Sequence, residues 1–479
     1  MVGRQKEIQE LNRLYNSGKA ELVAIYGRRR IGKTYLVDET FKNRITFRHA
    51  GLSPVESGKN RLSLQKQQLQ HFYFSLQLSG MQKSHRPENW LEAFFMLEKL
   101  LESKDDGTRQ LVFLDELPWM DTKNSGFITA FEGFWNTWAC HRSNLMVVIC
   151  GSANSWILDK LINNHGGLYN RVTCEIKLRP FNLSECKEYF ESNNVKLSDY
   201  DIVQSYMILG GIPYYLSYFE SGLSLAQNID KMFFSPAAKL KSEYRRLFES
   251  GFSSPDKMME LVKFLNTRNS GFTRKEICEK LQITDSGHIS EYINALIVSD
   301  FVEKYVPFGM SKRDVHFKLI DSFCIFSLRF INESNFNSEG FWQQNVATPA
   351  INTWRGLAFE NVCFNHIYQI KAALGISGVI TNQSAWSKRS DDSEGTQIDL
   401  LIERNDNVVN MCEMKYYKQE FIVDKEYHNK IVKRQELLSK EISRRSVIHS
   451  TLITTFGLAY NEYSGDFTNV ITLSDLLKS

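Results

Sequence analysis

One short stretch near the start of the chain, Tyr26-Gly27-Arg28-Arg29-Arg30-Ile31-Gly32-Lys33-Thr34, constrains the fold more than any other. It meets G-x-x-x-x-G-K-[ST] at every fixed position. The apolar run before it, Glu21 to Tyr26, reads as a short buried strand, and Tyr35 to Phe41 read as the first turns of a helix. Strand, glycine loop and helix in that order make a phosphate cradle. Gly27 and Gly32 permit backbone angles that a side chain forbids. The loop amides, from Arg28, Arg29, Arg30 and Ile31 on to the helix N-terminus, then point at phosphate oxygens. Lys33 reaches the β- and γ-phosphates, and the Thr34 hydroxyl ligates Mg²⁺.

A second phosphate motif follows about 80 residues later. Leu111-Val112-Phe113-Leu114-Asp115-Glu116 is a run of four apolar residues ending in two carboxylates, a buried strand whose tip faces the nucleotide. Asp115 is placed to hold Mg²⁺ through water, as a Walker-B aspartate does. Glu116 is placed to orient or deprotonate the attacking water. The aromatic-rich helix Phe127 to Trp138, with Phe131, Phe134 and Trp135, reads as core packing. Asn144 to Ser152 gives another buried strand; Ser152 or Asn154 at its end is either a sensor of the γ-phosphate or an ordinary strand-to-turn transition. Arg171, after Gly166-Gly167 and before the strand Val172 to Leu178, is either an arginine finger, whose guanidinium stabilises transition-state charge, or a member of a surface ion pair.

Gly27 to Thr34, the strand ending Asp115-Glu116-Leu117-Pro118-Trp119, Cys150-Gly151-Ser152, Leu178-Arg179-Pro180-Phe181 and Gly210-Gly211-Ile212-Pro213-Tyr214-Tyr215 together resemble the archaeal-type ATPase family of P-loop proteins, near the STAND branch of AAA-like NTPases. The resemblance covers roughly residues 1 to 235. It implies ATP as the nucleotide, where the spacing alone implies only a nucleoside triphosphate. It also implies a parallel sheet with helices on both faces. Val2-Gly3-Arg4 with Glu7 matches a Gly-Arg-x-x-Glu opening that in such ATPases lies near the adenine; a solvated turn is the other reading.

Phe181 to about Asn228 reads as a helical lid around the turn Gly210 to Pro213. Such lids convert nucleotide state into movement. From Lys257 the pattern changes. Met258, Leu261, Val262 and Phe264 form one helix. Thr273 to Leu281 forms a second, opened by a capping box from Thr273 to Glu276. His288 to Leu296 forms a third, after a turn from Ile283 to Gly287. Phe301 to Val306 and His316 to Ile320 then pair as a wing, giving the winged-helix layout. The third helix carries Ser286, His288, Ser290, Glu291 and Asn294 and no Lys or Arg. DNA contact and a protein-binding role therefore both stay open, with Lys312 and Arg313 in the wing loop the best phosphate contacts.

Asn332 to Ala350 reads as a polar linker, and Arg355 to Ile370 as an amphipathic helix. Gln397 to Glu403 and Val408 to Lys415 read as strands. Asp399, followed 14 residues later by Glu413-x-Lys415, has the spacing of the PD-(D/E)XK nucleases. Period-two geometry puts Glu413 and Lys415 on one strand face. Asp399 meets Glu413 across the hairpin, and hard oxygens of this kind hold Mg²⁺. The metal lowers the pKa of a bound water, Lys415 positions that water, and Glu360 on the preceding helix supports the metal or the base. Arg355 to Ser479 resembles the domain of unknown function that often follows this ATPase, a group placed among PD-(D/E)XK nucleases. A nuclease-like fold that no longer cleaves is the alternative.

The expected fold class is thus α/β: a P-loop NTPase parallel sheet with a helical lid, then a winged-helix domain and a restriction-endonuclease-like α/β domain. The expected boundaries are 1–180, 181–245 for the lid, 246–331 for the winged helix, 332–354 for a linker and 355–479. The 479-residue length suits about three domains. The eight cysteines include no C-x-x-C pair, which argues against a zinc ribbon or a disulfide framework. The charged N-terminus lacks the apolar core of a signal peptide, and no apolar run approaches the length of a membrane helix. A cytoplasmic location is expected. The net charge of +3 does not by itself announce nucleic-acid binding. The expected function is ATP hydrolysis coupled to the winged helix and a Mg²⁺-dependent DNA nuclease-like domain. The rival is a non-cleaving ATP switch or scaffold that binds DNA, a protein partner or further copies of the chain.

Overall fold

A computed structural model of the chain describes residues 1–53, 61–152, 154–162, 167–252, 254–282, 287–331, 338–388 and 396–478. The chain divides into two compact units. The first comprises Met1–Pro180, Arg245–Met258 and Asn294–Asp300, and the second Phe181–Tyr244, Met259–Ile293 and Phe301–Ser479.

The first unit is built on a parallel five-stranded sheet: β1 (Glu21–Tyr26), β2 (Phe47–Ala50), β3 (Gln110–Asp115), β4 (Leu145–Gly151) and β5 (Cys174–Lys177), in the spatial order β2-β3-β4-β1-β5. Every residue of β1, β3 and β4 is buried, as expected of parallel strands covered on both faces. Their sequences are continuous apolar runs and carry no alternation. Helices Arg61–Leu78, Trp90–Ser103 and Phe127–Gly133 bring an aromatic cluster onto the sheet: Trp90 meets Phe127 edge-on at 4.9 Å, and Phe94 stacks on Phe134 at 5.2 Å. The aromatic helix Phe127 to Trp138 continues as a π-helical turn over Phe134–Trp138. The phosphate loop and Asp115 lie at the C-terminal ends of β1 and β3, with β4 between the two strands. Ligands in open α/β sheets bind at such ends.

The second unit holds two sheets. The smaller has β6 (Phe272–Thr273), β7 (Val302–Tyr305) and β8 (His316–Leu319) in the antiparallel order β6-β8-β7. Thr273 caps helix Arg274–Leu281 through the expected capping box with Glu276. Ser286 and the turn from Ile283 lie outside the described residues. The larger sheet is mixed: β9 (Thr381–Lys388), β10 (Thr396–Arg404), β11 (Val408–Lys415), β12 (Val447–Thr454) and β13 (Asn469–Ile471), ordered β13-β12-β11-β10-β9. β10 pairs antiparallel with β9 and β11, and β12 runs parallel to β11.

Two expectations change here. The described part of the Asn332 to Ala350 stretch, expected as a polar linker, is anchored at two buried residues, Phe341 and Trp342. Helix Phe341–Asn345 buries Trp342 completely, and the Asp230 carboxylate accepts from the Trp342 and Gln343 amides at 2.7 and 3.0 Å. The helix expected from Arg355 to Ile370 is two, Pro349–Asn365 and Ile367–Ala373, broken at His366. There the buried His366 ring accepts from the Leu183 amide at 3.0 Å.

Candidate nucleotide site and a second acidic site

The loop after β1 needs its glycines. Gly27 has φ 147°, and a Cβ there would sit 2.2 Å from the Leu178 carbonyl oxygen. Gly32, with φ 88°, opens helix Lys33–Phe41. Arg30 also has a positive φ, 73°. Lys33 is buried, and its Nζ donates to the carbonyls of Gly27 at 2.9 Å and Arg28 at 3.1 Å. The ammonium is thus folded back across the loop that its charge serves. Burial holds its pKa below the ordinary lysine value.

The second motif meets the first directly. Thr34 Oγ1 donates to Asp115 Oδ2 at 2.8 Å across 81 residues of chain. Asp115 is buried, which raises its pKa despite that bond. A hydroxyl and a carboxylate oxygen side by side are the hard donors that Mg²⁺ takes, so the residues fit that ion. Glu116 sits just past β3 in a left-handed conformation, φ 45° and ψ 46°, which is uncommon for a residue with a side chain. Its Oε2 accepts from the Ser152 amide at 3.1 Å and the Ser152 hydroxyl at 2.9 Å. Ser152, one of the two sensor candidates, therefore holds the Glu116 carboxylate in place. The Asn154 side chain lies outside the described residues.

Arg4 has a role that its sequence context did not indicate. It is buried, and its guanidinium donates to Arg179 O at 2.8 Å and, more loosely, to Ile31 O at 3.4 Å. It ties the phosphate loop to the segment after β5. The Gly-Arg-x-x-Glu opening left Arg4 either near the adenine or in a solvated turn, and its burial is not that of a solvated turn. Arg171 is exposed on the turn before β5, and no side-chain contact among the described residues joins it to Lys33, Asp115 or Glu116. Gly166 lies outside the described residues.

The C-terminal motif residues form a different kind of site. Leu400 faces Cys412 across β10 and β11, so Asp399 and Glu413 are next in register. Glu413 is fully buried, and its carboxylate is already engaged. Arg434, from helix Lys425–Ser439, pairs with one oxygen, and the Tyr427 hydroxyl donates to the other at 2.7 Å. Lys415 Nζ lies 4.0 Å from Glu413 and 5.3 Å from the Tyr427 ring centre. Glu360 and Asp399 line a cavity of about 410 Å³ that Glu413 and Lys415 do not line. Burial and the Asp399 charge push Glu360 up to about 7, while Asn269 Nδ2 donates to it at 2.6 Å. Burial also raises Asp399, with Glu413 the next cause. Lys318 on β8 lines the same cavity, is 6% exposed and lies 4.6 Å from the Phe364 ring centre. Among the described residues, no group of three or more His, Cys, Asp or Glu side chains is gathered closely enough to hold a metal ion. The four motif positions are thus near one another, but Glu413 is neutralised by an arginine. As it stands the set does not fit Mg²⁺. Arg434, Tyr427, Asn269 and Lys318 reach it from elements distant in sequence and carry no motif.

Residues 1–219 match the model of a family described as an ATPase domain predominantly from Archaea. An uncharacterized protein of Methanocaldococcus jannaschii is 26% identical over 424 residues, 87% of each chain. An uncharacterized ATP-binding protein of the same organism is 44% identical over 43 residues, 9% of this chain and 73% of that one. Among solved structures, the Walker-type ATPase of Pyrococcus abyssi aligns at 17% identity and TM-score 0.46, covering 69% of this chain and 96% of that one.

Proposed function

We propose, from the archaeal-type ATPase domain that residues 1–219 make up, that this chain is an ATP-hydrolysing switch acting on its own second unit. The observation that carries the reading is the junction of the two phosphate motifs, where Thr34 touches Asp115 at 2.8 Å beside the buried Lys33. The loop amides between Gly27 and Lys33 bind the phosphates, and Lys33 exchanges the Gly27 and Arg28 carbonyls for phosphate oxygens. Thr34 and Asp115 would hold Mg²⁺, which when bound neutralises charge on the β- and γ-phosphates. Glu116 orients the attacking water and accepts its proton, with Ser152 fixing the carboxylate. Lys33→Ala is expected to abolish ATP turnover. Hydrolysis at the parent rate in a folded Lys33→Ala variant would refute this assignment.

We read helices Pro255–Leu265, Arg274–Leu281 and Gly287–Val298 with β6 to β8 as a winged helix, and the mixed sheet of the second unit as the nuclease-like part. One reading makes it a Mg²⁺-dependent nuclease on Glu360, Asp399, Glu413 and Lys415; the other makes it a grip that does not cleave. The pairing of Glu413 with Arg434 favours the second. A carboxylate neutralised by a guanidinium has little left to offer a cation. Plasmid DNA incubated with the protein and Mg²⁺, with and without ATP, decides between them. Nicking that disappears in Asp399→Ala restores the nuclease; intact plasmid in every arm leaves the grip.

A further inference from the structure

The second unit carries a groove that neither motif describes. It has a volume of about 740 Å³ and lies between helix Arg274–Leu281 and the hairpin of β7 and β8. Arg274, Lys275, Lys304 and Arg313 line it, against Glu279 and Asp314. Lys275, Lys304 and Arg313 are exposed, and the charge balance of the lining is positive, as a phosphate backbone requires. Lys304 also lines the 410 Å³ cavity described above, so the groove and the cavity share a wall. The cavity is lined quite differently. Asn269, Gln383 and Gln397 bring amides and Tyr305 a ring, and three carboxylates, Glu303, Glu360 and Asp399, outnumber the two cations Lys304 and Lys318. Its volume lies in the range of small-ligand pockets.

We propose that the second unit takes a single strand of DNA, with phosphates along the Lys275–Lys304–Arg313 groove and one unstacked base in the adjoining cavity. The division follows from charge. Carboxylates repel a phosphate but accept hydrogen bonds from exocyclic amino groups, as Asp and Glu do from cytosine N4. A base in a duplex is paired and stacked and cannot enter a cavity of this size without being extruded. The strand is therefore single, and an amino-bearing base is preferred over thymine. Helix Gly287–Val298, which lacks lysine and arginine throughout, takes no part. This inference rests on the reading of the second unit as a nucleic-acid grip and not on ATP turnover, so its failure leaves the ATPase assignment standing.

Fluorescence anisotropy on the full chain tests it, with labelled strands of about 20 nucleotides. Oligo-dC is expected to bind at least about tenfold tighter than oligo-dT and than a duplex of the same length, a factor within reach of one good base contact. Removing two cations in Lys304→Ala/Arg313→Ala should flatten the log–log salt dependence by about 1.4, at roughly 0.7 per phosphate contact for single strands. Glu303→Gln should reduce the dC preference while leaving dT binding in place. Equal affinity for dC and dT, or duplex bound as tightly as single strand, overturns the proposal. So does a salt slope that the double variant does not change. The comparison of dC with dT needs no variant, so it stands even if a substitution impairs folding. Oligo-rC binding within threefold of oligo-dC is expected, because no group in the groove is assigned to the sugar; a strong RNA preference overturns the choice of DNA.

Discussion

Replacing Gly27 by alanine puts the phosphate cradle under a measurable load. The added methyl would lie 2.2 Å from Leu178 O and 2.6 Å from Ile31 Cδ1, where ordinary contact begins at 3.4 Å. The side chain of Ile31 can turn away. The Leu178 carbonyl cannot easily follow, because the Leu178 amide donates to Tyr26 O at 2.8 Å and extends the pairing of β1 with β5. Overpacking of this kind costs about 1–3 kcal/mol, and a side chain at positive φ adds about 1–2 kcal/mol. A total near 3 kcal/mol, in a unit of about 200 residues, corresponds to a fall in melting temperature of roughly 6–12 °C. If the loop moves instead, the displacement of about 1 Å falls on the phosphate-binding amides, and a misplacement of that size costs up to about a hundredfold in activity. Gly18→Ala is the control: Gly18 has φ 67° and nothing within 4 Å, so it carries the backbone strain alone. Thermal melts and binding of a fluorescent ATP analogue would be measured on both variants. A Gly27→Ala protein with the parent melting temperature and the parent nucleotide affinity refutes the geometry.

Other substitutions probe the remaining links. Glu116→Gln should keep ATP affinity within a few-fold while lowering turnover by about 10²–10⁴, the range of a lost general base; equal losses in binding and turnover would point to misfolding of the β3 tip. Arg4→Ala removes the donor to the Arg179 and Ile31 carbonyls and should destabilise the first unit by about 1–3 kcal/mol in urea melts. Arg434→Ala should destabilise the second unit by about 3–5 kcal/mol, because the buried Glu413 loses its guanidinium partner and keeps only the Tyr427 hydroxyl and the more distant Lys415; adding Glu413→Gln should recover much of that, and no recovery would mean the pair is not coupled. His366, buried and accepting from Leu183, is held down to about 4 by burial, against 6.5 unperturbed. The unfolded chain therefore binds this proton first as pH falls. The neutral ring's contribution is intact above pH 6.5 and is lost progressively down to pH 4, amounting to about 3 kcal/mol. Urea melts of the parent and His366→Asn across that window should converge at the acid end.

The nucleotide site was legible because its parts are local. Gly27 to Thr34 are contiguous, and Asp115-Glu116 ends an apolar run whose burial on both faces leaves only one place for the acids, the strand tip. Three adjacent buried strands then bring Thr34 to Asp115. What could not be read were the bonds that span the chain, such as Arg4 to Arg179 across 175 residues and Ser152 to Glu116 across 36. Strand β2 also escaped, because Phe47-Arg48-His49-Ala50 is short and alternates buried with exposed residues. The polar composition around Trp342 reads as a linker, although Phe341 and Trp342 are the kind of anchors a linker does not need. Their burial depends on Asp230, 112 residues earlier.

The C-terminal motif shows why a correct pattern can leave the chemistry undecided. Spacing placed Asp399 opposite Glu413, and the strand register agrees. Carboxylate positions alone, however, do not make a metal site; the sign and distance of the surrounding charges decide whether a cation gains by entering. Here Arg434 pairs with Glu413, Lys415 stands 4.0 Å from it, and Lys318 opens into the cavity with Glu360 and Asp399. Each of these cations lowers the attraction that a divalent ion would feel, and burial further lowers it by keeping Glu360 partly protonated near neutral pH. Arg434 comes from a helix 21 residues beyond Glu413 and Lys318 from a strand 81 residues before Asp399. A motif that records only the acids and one lysine is silent about both, and it is these two cations that turn a metal-binding arrangement of carboxylates into one whose charge is met from within the protein.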